Sequence, residues 1–274
     1  MDSVSRQTYA EAVDRLNVLA TGDRPSPLAG VADEILSVAQ LLAHQPRLRR
    51  ALSDPARSGD DRAGLLSSLL EGKTTDDTMS LLRTLVAGRW SAPSELLDAI
   101  ERLGIETFLA SADSAGELAE VEDELFRFGQ VVDGNSALAV ALGTSTTPPE
   151  QRAELARQLL QGKARPATLR LVDVALRGFG GRNFAGSLSR LVELAAERRD
   201  RQIAYVTVAN ALSDAEASRL GARLAELYGR PIDLKVSVEP GIQGGVRVRV
   251  GSDLYDGTVL RRITDTRAAL SGHR

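Results

Sequence analysis

A chain of 274 residues that is 43% hydrophobic can bury one large core or two modest ones, while 34 basic against 37 acidic residues leave no positive excess to neutralise a phosphate backbone, which excludes nucleic acid as a partner. With no cysteine and only two histidines, His44 and His273, disulfides, thiolate nucleophiles and histidine-built metal clusters or triads are excluded as well. No basic segment followed by an apolar one opens the chain, and the longest apolar run, 203–212, is far shorter than the ~20 residues a bilayer requires, so membrane association is expected only through a partner.

Up to about residue 201, leucine, alanine and arginine recur at helical spacing. Behind Ser3, the residues Val4, Tyr9, Val13, Leu16 and Leu19 form the stripe of a capped amphipathic helix, which Thr21-Gly22-Asp23-Arg24-Pro25 ends. Further helices stop at Gln45-Pro46, Gly72, Gly88 and Gly178, where the backbone leaves the helix readily. A long connecting helix is expected between Pro93 and Val132, and its carboxylates Glu117, Glu120, Glu122, Asp123 and Glu124 read as a solvated face.

Residues 33–88 slide onto 123–178 at a constant offset of 90 without a gap, and sixteen of the 56 positions are identical. Core-type leucines and helix-ending glycines dominate, as in Leu69/Leu159, Leu81/Leu171, Gly72/Gly162 and Gly88/Gly178. The polar pairs Asp33/Asp123, Glu34/Glu124, Arg62/Arg152 and Lys73/Lys163 accompany them. The duplicated property is therefore a packing scheme, since a duplicated catalytic site would keep its reactive side chains. The expected organisation is a helical bundle over 1–118, a second copy over 119–201 and a small α/β domain over 202–274, which makes the fold α+β and predominantly α.

Beyond the bundles the period changes to two. Ile203 to Ala209 reads as a strand, and Ser213-Asp214-Ala215-Glu216 is a capping box opening a helix through Leu220, Leu224 and Leu227 to a stop at Gly229. Alternation in Ile232, Leu234, Val236 and Val238, and again in Val246, Val248 and Val250, predicts two half-buried strands around the turn 239–245. Asp256-Gly257 suits a tight turn with positive backbone angles, and Val259, Ile263 and Leu270 suit a last amphipathic helix, completing a βαββ-plus-helix domain.

The one motif that hints at an enzyme is Gly72-Lys73-Thr74, which looks like the end of a phosphate-binding loop. That loop needs a glycine where Ser67 stands and a strand where Leu65, Leu66, Leu69 and Leu70 indicate a helix, and the second copy, Gly162-Lys163-Ala164, lacks the metal-binding hydroxyl. Gly-Lys is better read as a helix C-terminus with a cation on its dipole. Gly178-Phe179-Gly180-Gly181 reads as a helix-to-helix turn, His44 as a helix-end hydrogen bonder, and Trp90 and Phe184 as core anchors. Neither a catalytic residue nor a cofactor or metal site is expected.

The C-terminal pattern carries a resemblance. Val206 to Ser213, Leu220 to Gly229, Val238 to Gly251 with its Ile242-Gln243-Gly244-Gly245-Val246 core, and Asp256-Gly257-Thr258-Val259 closely resemble the delta-subunit family of bacterial F-type ATP synthases, related to the mitochondrial oligomycin-sensitivity-conferring protein. Tyr9-Ala10-Glu11-Ala12-Val13 resembles the opening helix of that family. The family usually has one six-helix bundle, so the duplication departs from it and resembles the longer subunits of actinobacteria. Gly244, Gly245, Asp256 and Gly257 are signature positions with a structural reading, a tight strand connection and a turn. The resemblance implies a non-catalytic stator that resists rotor torque. Its N-terminal bundle would grip N-terminal helices of the alpha subunits, with Tyr9, Val13 and Leu16 as candidate positions. Its C-terminal domain would hold the b subunit, with Leu254, Val259 and Ile263 as candidates. It implies one copy of the chain in a hetero-oligomer, peripheral to the cytoplasmic face of the cell membrane. The alternative reading of the residues is a cytosolic helical protein-protein adaptor unconnected with energy conversion.

Overall fold

The computed structural model describes residues 3–21, 27–143, 147–199, 202–229, 231–240, 245–250 and 253–257. The first helices are α1 (Ser3–Thr21), α2 (Leu28–His44), α3 (Pro46–Leu52), α4 (Gly59–Leu70), α5 (Asp76–Ala87) and α6 (Pro93–Ser114). After them come α7 (Leu118–Asp133), α8 (Ser136–Gly143), α9 (Pro149–Leu160), α10 (Pro166–Arg177) and α11 (Phe184–Arg198). Helices α7 to α10 begin 90 residues after α2 to α5, and α6 begins 90 residues after α1. So α6 closes the first bundle and also opens the second, standing there where α1 stands in the first.

Its burial shows this double service. Leu96, Ile100 and Leu103 belong to the first core with Tyr9, Leu16, Ile35 and Leu85. Ile105, Phe108 and Leu109 belong to the second, with Leu125, Phe128, Leu171 and Leu191. An amphipathic helix buries one stripe, yet every residue from Leu103 to Ala110 is buried, because protein lies on all sides of α6. Gly104 permits the closest approach, since a Cβ there would stand 2.7 Å from Cγ of Leu36 on α2.

The expected connecting helix between Pro93 and Val132 is two helices. Gly116, at φ +72°, breaks it, and the amide of Glu117 turns back to donate to the Ala112 carbonyl at 2.8 Å. The polar identities of the repeat hold turns. Arg62 is buried and donates to the carbonyls of Asp54, Arg57, Val86, Ala87 and Gly88 at 2.7–3.0 Å, while Arg152 donates to those of Leu142 and Thr147 at 3.0 and 3.2 Å. Glu34 accepts from the amide and hydroxyl of Thr75 at the start of α5, and Glu124 accepts from the Arg165 amide at the start of α10.

In the last part, β1 (Gln202–Val208), α12 (Asp214–Tyr228), β2 (Ile232–Val238), β3 (Val246–Val250) and β4 (Asp253–Asp256) form a sheet of order β2-β1-β3-β4. β1 runs parallel to β2 and antiparallel to β3, and α12, with the expected capping box and Gly229 at φ +68°, is the crossover. Ala204, Val206, Val208, Val248 and Val250 make a third core under α12 with Leu224. The two strands around 239–245 are not neighbours, because β1 lies between them. β4 replaces the turn expected at Asp256-Gly257. Gly257 is not in the left-handed region, and its amide donates to the Val246 carbonyl at 2.9 Å, continuing the β3–β4 pairing. The last helix expected around Val259, Ile263 and Leu270 lies outside the described residues.

Candidate docking surfaces

No group of three metal-capable side chains occurs among the described residues, nor any helix long and apolar enough to cross a membrane. Gly72, at φ +68°, ends α4, and Lys73 turns its ammonium back onto the Leu69 carbonyl at 2.9 Å, as a helix C-terminus favours. His44 Nδ1 meets the Gln40 carbonyl at 2.8 Å, and Phe179 to Gly181 form a 3-10 turn between α10 and α11. Trp90 and Phe184 are both buried, the indole donating to the Leu85 carbonyl.

Chemistry of another kind concentrates at the two junctions. Between the bundles, Ala32 and Leu36 of α2 pack onto the second core, and Asp33 pairs with Arg170 of α10 at 3.1 Å. Arg102 of α6 stacks its guanidinium 4.9 Å from the Tyr9 ring and reaches Glu197 of α11 at 3.6 Å. Arg198 of α11 bridges Asp113 of α6 and Asn17 of α1. Inside this network Glu106 is nearly buried, and desolvation pushes its carboxyl above the usual range although Arg102 and Arg198 pull the other way.

Between the second bundle and the sheet, the positions equivalent to Ala32 and Leu36 are Glu122 and Phe126, so the face of α2 that meets the second bundle is repeated in α7 as the face that meets the sheet. Glu122 is wholly buried, one carboxylate oxygen 2.8 Å from Lys235 of β2 and the other 2.8 Å from Arg199. Register sets Tyr205 of β1 beside Lys235 on one side and Arg249 on the other, all on the face turned toward the bundle. Phe126 packs against Tyr205 and lies under Lys235, and Gln130 donates to the Val236 carbonyl and Ser237 hydroxyl. Burial, with Glu193 nearby, drives the Tyr205 phenol well above its ordinary range. The acidic run on α7 is therefore not simply a solvated face. Glu122 is a junction residue, Glu124 caps α10 and Glu117 pairs with Arg165 at 3.0 Å. A charge in place of Ala32 at the equivalent position was the one mark of Glu122 in the sequence.

Tyr9 and Leu16 are brought together on the inner side of α1, 8% and 0% exposed, with Val13 half-buried against the same core. The large apolar side chains that α1 presents outward are Val4 and Val18. Leu254 is 60% exposed on β4. Val259, Ile263 and Gly244 lie outside the described residues, while Gly245 enters β3 at φ +83° and Asp256 faces Arg247 at 3.7 Å.

The model of the family described as ATP synthase delta (OSCP) subunit matches the chain twice, over residues 6–107 and 105–270, and the two matches meet inside α6, where that helix passes from one core to the other. The ATP synthase subunit delta of Salinispora arenicola is 63% identical over 269 residues, 98% of each chain. That of Streptomyces griseus is 42% identical over 272 residues, 99% of this chain and 100% of its own, and that of Parafrankia 37% identical over 278 residues with the same coverage. The chain belongs to the ATP synthase delta (OSCP) subunit family, whose members are structural, non-catalytic stalk subunits of the F-type enzyme.

Proposed function

We propose that this chain is the joint of the peripheral stalk, with alpha-subunit N-terminal helices held by the bundles and the b subunit held by the C-terminal domain. It works in one copy per complex, at the cytoplasmic face of the cell membrane, and reaches the membrane only through that complex. Its working parts are 1–118, 119–201 and 202–274, with α6 serving the first two. On α1, Val13 is the candidate contact, and Tyr9 and Leu16 set the helix position from beneath. Leu254, with Val259 and Ile263, is the candidate toward b.

The observation that supports this reading best is the unbroken path of buried contacts along the molecule. α6 is common to two cores, and Glu122 ties the second core to the sheet. A rotor turning inside the catalytic head drags the head with it unless a stalk returns the torque, and a joint in that stalk must resist bending. Two attachments on one stalk also raise the effective concentration of each, so modest contacts suffice for lasting attachment.

Mixing the full chain with a synthetic alpha-subunit N-terminal peptide tests the grip. Saturable binding weakened by Val13→Asp is expected, and absence of binding up to millimolar peptide overturns it. Washing of membranes adds a second check, with the chain sedimenting at ordinary ionic strength and leaving with the head when that is lowered.

A further inference from the structure

Where α7 and α11 meet the sheet they leave a partly open cavity of about 150 Å³. Leu125, Phe126, Phe184, Leu188 and Val192 give it an apolar wall from the bundle, and Tyr205, Ser237 and Arg249 close it from β1, β2 and β3. A space of this size with an apolar wall accommodates one six-membered ring. Gly129 of α7 keeps it open. Glycine in a helix interior is less favourable than alanine, yet neither a left-handed φ nor a close neighbour calls for it at 129, since a Cβ there would meet only Cδ1 of Leu188, at 4.0 Å. The equivalent residue of the first bundle is Ala39, buried in that core. The repeat thus has a filled version of this place and a hollow one.

Most polar groups around the cavity are already engaged. Gln130 donates to the Val236 carbonyl and the Ser237 hydroxyl, and the Tyr205 hydroxyl leans on the Ser189 carbonyl at 3.4 Å. Arg249 is different. Its guanidinium lies 4.5 Å from the centre of the Tyr205 ring and has neither an ion pair nor a hydrogen bond among the described residues. Asp133, the last residue of α7, is the other charged residue of the lining and is likewise unpaired among the described residues. Stacking holds Arg249 in the wall, whereas no such contact holds the Asp133 carboxylate, so the arginine sets the charge of what the cavity takes.

We propose that this cavity is a binding site for a small aromatic carboxylate, with the ring between α7, α11 and Tyr205 and the carboxylate on the guanidinium of Arg249. A planar guanidinium fixed by stacking offers parallel N–H donors to the two oxygens of a carboxylate. The bound molecule touches the second bundle and the sheet together, so it reinforces the junction that Glu122 and Lys235 make. The site is separate from the candidate contacts with the alpha and b subunits, and the inference stands whether or not those are made.

Titration of the isotope-labelled full chain with benzoate, followed by nuclear magnetic resonance, tests this. Saturable shifts of the Gly129, Ser237 and Arg249 amides are expected, with a Kd below about 1 mM, which is within reach of so small a ligand. Acetate lacks the ring and benzylamine carries the opposite charge, and each is expected to bind at least about tenfold more weakly than benzoate. Gly129→Ala is expected to melt no lower than the parent while weakening benzoate about tenfold, because it fills space without disturbing a neighbour. Arg249→Gln is expected to weaken benzoate by about as much, and Asp133→Asn to leave it as tight or tighter. Arg249 and Asp133 are both exposed, so neither replacement threatens the fold. Absence of saturation, benzylamine bound as tightly as benzoate, a lower melting temperature in Gly129→Ala, an affinity indifferent to Gly129→Ala or Arg249→Gln, or weakening by Asp133→Asn would each overturn the proposal.

Discussion

Glu122 and Lys235 meet at 2.8 Å across the boundary between the second bundle and the sheet, and the carboxylate in that contact is wholly inaccessible to solvent. Removing one member of a buried pair leaves the other charged and unsolvated, which costs about 3–5 kcal/mol. Glu122→Gln strands the nearly buried Lys235 ammonium. It is expected to raise amide exchange in β1 and β2 and loosen the sheet from α7, while Leu81 to Val86 in the first bundle exchange as before. Pairing it with Lys235→Met is expected to restore part of the loss, because that substitution removes the stranded ammonium. Equal acceleration everywhere, or none, would contradict the assignment of this pair as the latch.

The two equivalent arginines make unequal demands. Among the described residues Arg62 satisfies five carbonyls and Arg152 two, so on these contacts the rigid fork matters more in the first bundle. Arg62→Lys is expected to destabilise the chain by about 2–4 kcal/mol and Arg152→Lys by about 1–2 kcal/mol, since an ammonium leaves several buried carbonyls unpaired. Denaturant unfolding read by exchange in α5 and α10 separates the two, and equal losses would refute the difference.

Gly88 and Gly178 end equivalent helices for different reasons. Gly178 takes φ +88°, which a side chain resists, whereas Gly88 has φ −71° and is needed for space, since a Cβ would stand 2.0 Å from Cγ2 of Thr8. Gly88→Ala is expected to cost about 1–3 kcal/mol by pushing α1 outward. Thr8→Ala should recover part of it, whereas Gly178→Ala should be indifferent to position 8. Thermal melts of the three variants and the Gly88/Thr8 pair decide this, and a loss at Gly88 unchanged by Thr8→Ala would point to the backbone instead.

The same glycines show what a one-dimensional reading captures. Helical spacing, the repeat and the capping box of α12 are local properties, and each is present in the fold. Gly116 splits the expected connector because one residue at φ +72° outweighs a continuous apolar pattern on either side. β4 escaped notice because Leu254 and Tyr255 are exposed, so its four residues lack the alternation that marks a half-buried strand. The pairing of β1 with both β2 and β3 depends on strand order, which local alternation does not encode. Glu122 looked like one carboxylate among five until the sheet supplied Lys235.

Glu106 lies where α6 passes between the two cores, and its acidity has a consequence for stability. Burial is the main cause of its raised pKa. Arg102 and Arg198 oppose the shift, Glu197 adds to it and Arg190 opposes it weakly. A carboxyl that holds its proton more tightly folded than unfolded makes stability fall as pH rises from its ordinary value of 4.5 through the folded pKa, and the deficit persists above that. Glutamine keeps the shape without the charge. Glu106→Gln is therefore expected to be more stable than the parent at pH 8 and to lose that advantage near pH 4, where the parent carboxyl is protonated in both states. Carboxylates remote from position 106 titrate alike in the two proteins, so the difference in unfolding free energy between them reports on Glu106 and the Glu197 coupled to it. A variant less stable than the parent at pH 8 would mean that the ion pair with Arg102 and the attraction of Arg198 outweigh the burial of the charge, and that the junction between the bundles is held by Glu106 ionised.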